Sequence, residues 1–222
     1  MNYFEAVNSR KSIRKFLPDP VSRETVEKIL TSARRAPSGG NLQPGSVHVL
    51  TGEPLMRLTA RLTAAYENRE EVREEFDYYP NPMPRELKER VVECGMMLYE
   101  SLNIDRHDKP ARRKQFGRNY VFFDAPVAMI VFIDKSLGKG CYVDLGMFVH
   151  GILLAAESLG LSTCALGSLA HYPHILRQEL QVSADQIPVC GIALGYKDPA
   201  APENQFTVPR LNLEKFAHLK GF

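Results

Sequence analysis

The decisive stretches of this sequence are Arg10-Lys11-Ser12-Ile13-Arg14 and Ala36-Pro37-Ser38-Gly39-Gly40-Asn41-Leu42-Gln43-Pro44. The first concentrates three cationic side chains beside a hydroxyl, and its two arginines, four residues apart, can converge on one phosphate. The second follows a predicted helix, and its glycines allow the backbone to approach a ligand closely. Together the two stretches predict a binding site for a phosphorylated, planar cofactor.

Length and composition indicate one globular domain that spans residues 1–222. Of the 222 residues, 44% are hydrophobic and 24% are charged, and the net charge is +2. A chain of this length buries roughly 70–75% of its extended surface, which is enough for one core. Because acidic and basic residues are interleaved and Arg112-Arg113-Lys114 is the only tight basic run, we expect no nucleic-acid partner.

The sequence also favours a cytoplasmic protein with no membrane partner. Its first five residues lack the basic flank and apolar run of a secretory signal. The apolar stretches 125–133 and 151–156 fall short of the ~18–20 residues that a spanning helix needs. Scattered cysteines without a Cys-x-x-Cys pair are typical of small buried hydrophobic residues in a reducing compartment; they are Cys94, Cys141, Cys164 and Cys190.

Helical and strand patterns alternate along the chain. Asn2 and Glu5 have the spacing of a capping box, and Ser22 is placed to cap a second helix. That helix carries an apolar stripe of Val26, Ile29, Leu30 and Ala33. Strands are predicted over 47–49, 126–133 and 187–196, and a helix buried at the centre of the fold over 144–161.

Two regions are expected to lie outside this framework. Residues 55–118 contain charged amphipathic helices interrupted by the proline-rich segment 77–84, and we interpret them as an excursion over a cleft. Residues 198–222 are rich in proline yet carry five large apolar side chains: Phe206, Leu211, Leu213, Phe216 and Phe222. We expect this C-terminal arm to be exchanged with a partner subunit, and packing on its own subunit is the alternative.

The side chains alone offer no complete catalytic or metal motif. Gly138-Lys139-Gly140 begins like a dinucleotide fingerprint, but Val143 stands where the third glycine belongs. Ser168 lies near His171 without a nucleophile elbow, and His171 and His174 lack a third metal ligand. A bound cofactor is therefore the expected source of reactivity.

Four regions, in order along the chain, carry a family resemblance. They are Arg-Lys-Ser-Ile-Arg-Lys-Phe at 10–16, the stretch 36–44, Gly-Leu-Ser-Thr-Cys at 160–164, and Gly-Tyr-Lys-Asp-Pro at 195–199 followed by 207–213. Together they resemble the nitroreductase family of FMN-dependent flavoproteins. The resemblance implies an α+β, nitroreductase-like fold with a central mixed or antiparallel sheet flanked by helices. It also implies a homodimer with domain-swapped C-terminal arms and one FMN in each of two interface clefts.

The resemblance also implies which residues hold the cofactor. The phosphate, ribityl chain and pyrimidine edge are assigned to Arg10, Lys11, Ser12 and Arg14, with Arg210 closing on the phosphate. The other subunit is expected to contribute Pro37, Ser38, Gly39, Asn41 and Gln43. The backbones of Leu166 and Gly167 are expected near the flavin N5 atom, which carries the chemistry, so that no side chain is assigned a catalytic role.

The implied activity is reduction of a planar, electron-poor small molecule, a nitroaromatic or a quinone, by NAD(P)H through ping-pong hydride transfer at N5. Positive charge from Lys11 or a neighbouring arginine is expected to stabilise the reduced flavin. Tyr78 and Tyr79 are candidates for a lid over this substrate, or for simple anchors of the excursion. Reductive dehalogenation, flavin fragmentation and non-catalytic FMN binding remain alternatives, and the choice between NADH and NADPH stays open.

Three positions depart from the pattern of many relatives. Gly45 stands where tryptophan is common, and both His150 and Leu166 stand where glutamine is common. These departures affect the shape and polarity of the cleft, and with them the choice of substrate.

Overall fold

Strand β2 (Val127–Asp134) lies at the centre of the fold and is buried on both faces. In the computed structural model, which describes all 222 residues, its side chains alternate between two hydrophobic cores. Ala128, Ile130 and Phe132 face one core, whereas Val127, Met129, Val131 and Ile133 face the other. This alternation explains why β2 is a continuous apolar run, since both faces of the strand must be covered by helices.

The sheet has four antiparallel strands in the order β1-β2-β4-β3, as the α+β expectation required. The remaining strands are β1 (Ser46–Leu50), β3 (Ser162–Leu166) and β4 (Gln186–Gly195). The helices are α1 (Tyr3–Ser9), α2 (Arg23–Ala33), α3 (Gly52–Glu67), α4 (Arg85–Ser101), α5 (Lys109–Gly117), α6 (Lys139–Ser158), α7 (Pro173–Leu180) and α8 (Leu213–Phe216). Four short 3-10 segments complete the structure: Gly39–Asn41, Arg118–Asp124, Gly167–His171 and Pro202–Asn204.

Local signals place the first two helices. Asn2 and Glu5 form the predicted capping box, with Asn2 Oδ1 accepting from Glu5 N at 3.0 Å and Asn2 N donating to Glu5 Oε2 at 2.8 Å. Ser22 Oγ caps α2 by accepting from Thr25 N at 3.1 Å. Both predictions are confirmed because each depends only on residues three apart.

The edge strand β1 differs from the sequence expectation in its burial. Val47 is half-buried, but Val49 is 39% exposed rather than half-buried. β1 is an edge strand and has a neighbouring strand on one side only, which leaves part of it, including Val49, exposed to solvent.

Helix α6 begins at Lys139, earlier than predicted, and only part of it is buried. Leu145, Ile152 and Ala156 pack into the core, whereas Val143 is 66% and Met147 39% exposed. The expectation of a wholly buried helix is therefore wrong for a single chain. α6 is also the one helix whose length and mean hydropathy of 1.2 would suit a membrane span, and its packing against α1, α2 and β3 identifies it as a core helix instead.

The region expected as an excursion, residues 55–118, lies outside the framework only in part. α3 belongs to the core instead, because its apolar stripe of Leu55, Leu58, Leu62 and Ala65 packs into the main hydrophobic cluster and each of these residues is at most 8% exposed. α3 and α4 are separated by residues 68–84, in agreement with the predicted interruption, and α4 has no buried residue. In the C-terminal arm, Leu213 is 60%, Phe216 77% and Leu219 69% exposed. The end of the arm therefore does not bury its apolar side chains against its own subunit. Its start does so in part, because Ala201 is 6% exposed and the half-buried ring of Phe206 has its centroid 5.9 Å from Arg14 Cζ.

Candidate functional site

The cationic segment that follows α1 runs along the free edge of β3. Ile13 N donates to Thr163 O at 3.0 Å, and Ser12 pairs with Thr163 as a parallel bridge. Ile13 and Phe16, each 3% exposed, hold the segment by packing into the core. The backbone that carries the cationic side chains is thus fixed like an additional strand.

Arg10, Ser12 and Arg14 are alternate residues of this extended segment, so their side chains share one side of it, and Ser12 pairs with Thr163, the neighbour of Cys164 in β3. Burial raises the pKa of the Cys164 thiol, while the nearby charges of Arg14 and Arg10 and the Ser12 side chain act in the opposite direction. Neither Arg10 nor Arg14 forms an ion pair with a carboxylate; Arg14 Nη1 donates only to Ser12 O, at 3.3 Å. Two guanidinium groups without acidic partners, next to a hydroxyl, match the donors that a phosphate requires.

Lys11 points away from this group. Its ammonium donates to Gln205 O at 3.4 Å, and its side chain lines a cavity of about 170 Å³ together with Glu157. Alternation along an extended segment accounts for the separation, because neighbouring side chains point to opposite sides.

Asn204 is a structural residue of this region that the sequence analysis missed. Its Oδ1 accepts from Arg14 N at 2.8 Å, and its Nδ2 donates to Lys15 O at 2.8 Å and to Asp198 O at 3.0 Å. This buried amide ties the start of the C-terminal arm to the cationic segment. Arg210 itself is exposed and donates to Val208 O and Pro209 O at 3.0 and 3.2 Å, so a single chain does not bring it to Arg14.

The loop 37–43 is held in a defined shape at the other end of α6. Ser38 Oγ accepts from Gln43 N at 2.9 Å, and Gly39 N donates to Asp144 Oδ2 at 3.1 Å. Asn41 and Gln43 adopt left-handed φ values of 58° and 50°. Pro37, Ser38 and Gln43 line a cavity of about 210 Å³ with Asp144. Asp144, which anchors the loop, was not anticipated from the sequence.

The end of β3 contacts residues 74–79, which lie between α3 and α4 and are called the aromatic segment below. Leu166 is 3% exposed and belongs to the core. At Gly167, a Cβ atom would lie 3.2 Å from Cε2 of Tyr78. Burial raises the pKa of the Tyr78 phenol, and Tyr79, whose ring centroid lies 4.9 Å away, adds to the effect. The structure thus brings Gly167 and Tyr78 together.

Comparison with known proteins identifies the family. The model of the nitroreductase family matches residues 7–196. The chain belongs to the nitroreductase family. It is 39% identical over 220 residues to a 4-nitrobenzoate reductase of Pseudomonas putida, covering 99% of this chain and 96% of the relative. Membership makes the chain an enzyme of the nitroreductase type, as the resemblance implied.

Solved structures of nitroreductases confirm the fold. An FMN- and NADPH-dependent nitroreductase NfnB from Sphingopyxis superposes with a TM-score of 0.96 at 35% identity, with 100% of both chains covered. The FMN-dependent NfnB of Mycobacterium smegmatis, solved in complex with NADPH, gives a TM-score of 0.93 at 28% identity and covers 98% of this chain and 97% of that protein.

The structure explains one of the departures from the pattern of this nitroreductase family. Gly45 has a φ of 100°, and a Cβ atom there would lie 2.4 Å from Leu145 Cδ1 and 3.1 Å from Phe132 O. A tryptophan at this position is therefore incompatible with the backbone and packing of this chain. His150 is exposed on α6, and nothing in the single chain explains the choice of histidine.

Proposed function

We propose that this nitroreductase binds FMN in a cleft between two copies of the chain and uses NAD(P)H to reduce a planar, electron-poor acceptor, a nitroaromatic or a quinone. The observation that carries the proposal is the group formed by Arg10, Ser12 and Arg14 at the edge of β3, with no carboxylate paired to either arginine. The dependence of the Sphingopyxis and Mycobacterium relatives on FMN, and their use of NADPH, support the choice of cofactors.

The residues present fit a flavin mononucleotide. Arg10 and Arg14 would bind its phosphate through charge-assisted hydrogen bonds, with Ser12 as an additional donor. Lys11 would contribute only long-range positive charge, because its ammonium is directed to Gln205 O. The half-buried backbone at Gly167 would lie beside the ring system, with the ring of Tyr78 packed next to it.

A second copy is needed because one chain keeps the two predicted halves of the site apart. The loop 37–43 is anchored to Asp144 near the start of α6, whereas the cavity at Lys11 is lined by Glu157 near its end. Thirteen residues of helix separate these points by about 20 Å. Two copies with antiparallel α6 helices would place the loop of one chain beside the cationic segment of the other.

The exposed apolar surface supports the homodimer. On α6, Val143 and Met147 lie one turn apart on a single face and are 66% and 39% exposed. The C-terminal arm adds Phe216 and Leu219, which are 77% and 69% exposed. Burial of such side chains stabilises by about 25 cal/mol per Å². We propose that the arm, residues 198–222, wraps around the partner and delivers Arg210 to its phosphate.

When bound, FMN would supply the ping-pong hydride transfer at N5 between NAD(P)H and the acceptor. Arg10 and Arg14 would hold the cofactor in place and contribute positive charge to the site. Tyr78 forms one wall of the space at Gly167 in which a flat substrate would stack. The four free cysteines, of which Cys164 and Cys190 are buried, suit the cytoplasm that we propose for this enzyme.

The visible spectrum of the purified protein tests this proposal. We expect the absorbance of oxidised flavin, its bleaching by NADPH or NADH without oxygen, and its return on addition of 4-nitrobenzoate or menadione. A colourless protein that takes up no FMN would refute the cofactor assignment. Flavin that binds but is not bleached would indicate a non-catalytic binder, and iodide release from iodotyrosine would indicate dehalogenation instead.

A further inference from the structure

The segment between α3 and α4 carries a row of aromatic rings but has little structure of its own to hold them. From Phe76, the ring centroids of Tyr142 and Tyr78 lie at 5.8 and 6.3 Å, and Tyr79 continues the row. No helix or strand is formed between Glu67 and Arg85. The position of Tyr78 against Gly167 must therefore be fixed by contacts with other parts of the chain.

Arg177 of α7 provides the strongest of these contacts. Its Nη1 and Nη2 donate to the two carboxylate oxygens of Glu75 at 3.1 and 2.6 Å. The same guanidinium donates through Nε and Nη2 to Gln186 O at 3.0 and 2.7 Å. Its side chain is only 17% exposed, and that of Glu75 33%. One planar group thus joins the aromatic segment to α7 and to the start of β4.

A second attachment lies one residue before Glu75. Glu74 Oε1 is 3.1 Å from His171 Nε2, and Arg73 N donates to His171 O at 3.0 Å. His171 belongs to the 3-10 segment that begins at Gly167. Both ends of this short segment therefore touch the aromatic segment, at Tyr78 and at Glu74.

We propose that Arg177 is a positioning residue for acceptor selection. Through Glu75 it holds the ring of Tyr78 at Gly167 and so sets the width of the space in which a flat acceptor stacks. Only two residues lie between Glu75 and Tyr78, so the bidentate pair restricts the ring to a short arc. This inference rests on the proposed function, which places the acceptor beside Gly167. It adds the pair of Arg177 and Glu75 as the contact that limits the width of this space.

The first test uses hydrogen exchange on full-length, FMN-loaded Arg177→Gln protein. Within residues 70–80 we expect the amide of Arg73, which donates to His171 O, to exchange at least about tenfold faster, while those of α3 keep their rates. The matched control is Glu179→Gln on the same helix. Glu179, 11% exposed, pairs with Arg57 and Arg61 of α3 and does not touch the aromatic segment. Unchanged exchange over 70–80 in Arg177→Gln would overturn the proposal.

The second test separates positioning from a general loss of structure. In Arg177→Gln we expect the KM for 4-nitrobenzoate to rise about tenfold, as loss of one charge-assisted pair allows, with the limiting rate of flavin bleaching unchanged. Arg177→Lys, which keeps the charge but not the bidentate geometry, should recover part of the loss. Glu179→Gln should leave KM unchanged.

A double-mutant cycle shows whether Arg177 acts through Tyr78. In a Tyr78→Ala background, Arg177→Gln should change KM by less than about twofold, because the ring that it positions is gone. Additive effects on KM would overturn the proposal. Failure of the unmodified protein to be bleached by NAD(P)H would instead refute the proposed function, and the exchange rates would still report on the anchoring by Arg177.

Discussion

Replacement of Gly45 by alanine tests the packing that distinguishes this chain from relatives with a larger residue. The new Cβ atom would meet Leu145 Cδ1 at 2.4 Å and Phe132 O at 3.1 Å. Leu145 is 1% exposed and packs in the core. Overpacking of this kind costs about 1–3 kcal/mol, and a left-handed φ costs about 1 kcal/mol more for a residue with a Cβ atom. We therefore expect Gly45→Ala to lower the free energy of unfolding by about 2–4 kcal/mol.

Gly40 is the matched control for this substitution. It has a φ of 57°, but a Cβ atom there would have no neighbour within 4 Å. Gly40→Ala should therefore cost only the backbone contribution of about 1 kcal/mol. The measurement is urea unfolding at one fixed protein concentration, because a dimer makes stability depend on concentration. Equal losses in the two variants, or no loss in Gly45→Ala, would refute the packing argument.

Three further outcomes follow from the geometry. Arg14→Gln should weaken FMN binding about 10- to 100-fold through loss of a charge-assisted contact. The control variant Arg23→Gln should keep its affinity for FMN. Fluorescence titration measures both dissociation constants, and equal affinities would count against the phosphate site. Burial lowers the pKa of His171, although the charge of Glu74 acts in the opposite direction. The unfolded state therefore binds the proton more readily than the folded state does. The contribution to the free energy of unfolding that is present above about pH 6.5 is lost as the pH falls. His171→Gln should reduce the difference between urea unfolding at about pH 7.5 and about pH 5.5, whereas an unchanged difference would contradict this; His48, whose pKa is also lowered by burial, retains part of it. Phe216→Asp should raise the dimer dissociation constant in sedimentation experiments, and an unchanged constant would argue against an exchanged arm.

Elements with local causes were predictable from the sequence. The capping box of Asn2 and Glu5 depends on a spacing of three residues, and the continuous apolar run of β2 indicates that both of its faces are buried. The resemblance to nitroreductases, carried by short segments across the whole chain, was confirmed by the family match over residues 7–196. Local patterns therefore placed individual helices and strands, and the family resemblance predicted the fold class.

Features that depend on distant contacts were not predictable. Asn204 bonds to Arg14, 190 residues away, and an asparagine in a proline-rich tail gives no signal of that role. Asp144 holds Gly39 across 105 residues. α6 was expected to be buried throughout because it is apolar on most faces, yet hydrophobicity alone does not tell whether the same chain or a partner covers a face.

The two-chain construction of the flavin site is the central claim, and a mixed dimer tests it directly. One chain carries Arg14→Gln and the other carries Gly39→Leu. The fold tolerates the change at Gly39, because the nearest atom to a Cβ there is Asp144 Oδ2 at 3.8 Å. Each variant homodimer should retain little FMN, whereas the mixed dimer should hold about half the flavin of the unmodified dimer, since one of its sites combines two intact halves. A mixed dimer with no more flavin than either variant homodimer would contradict the account.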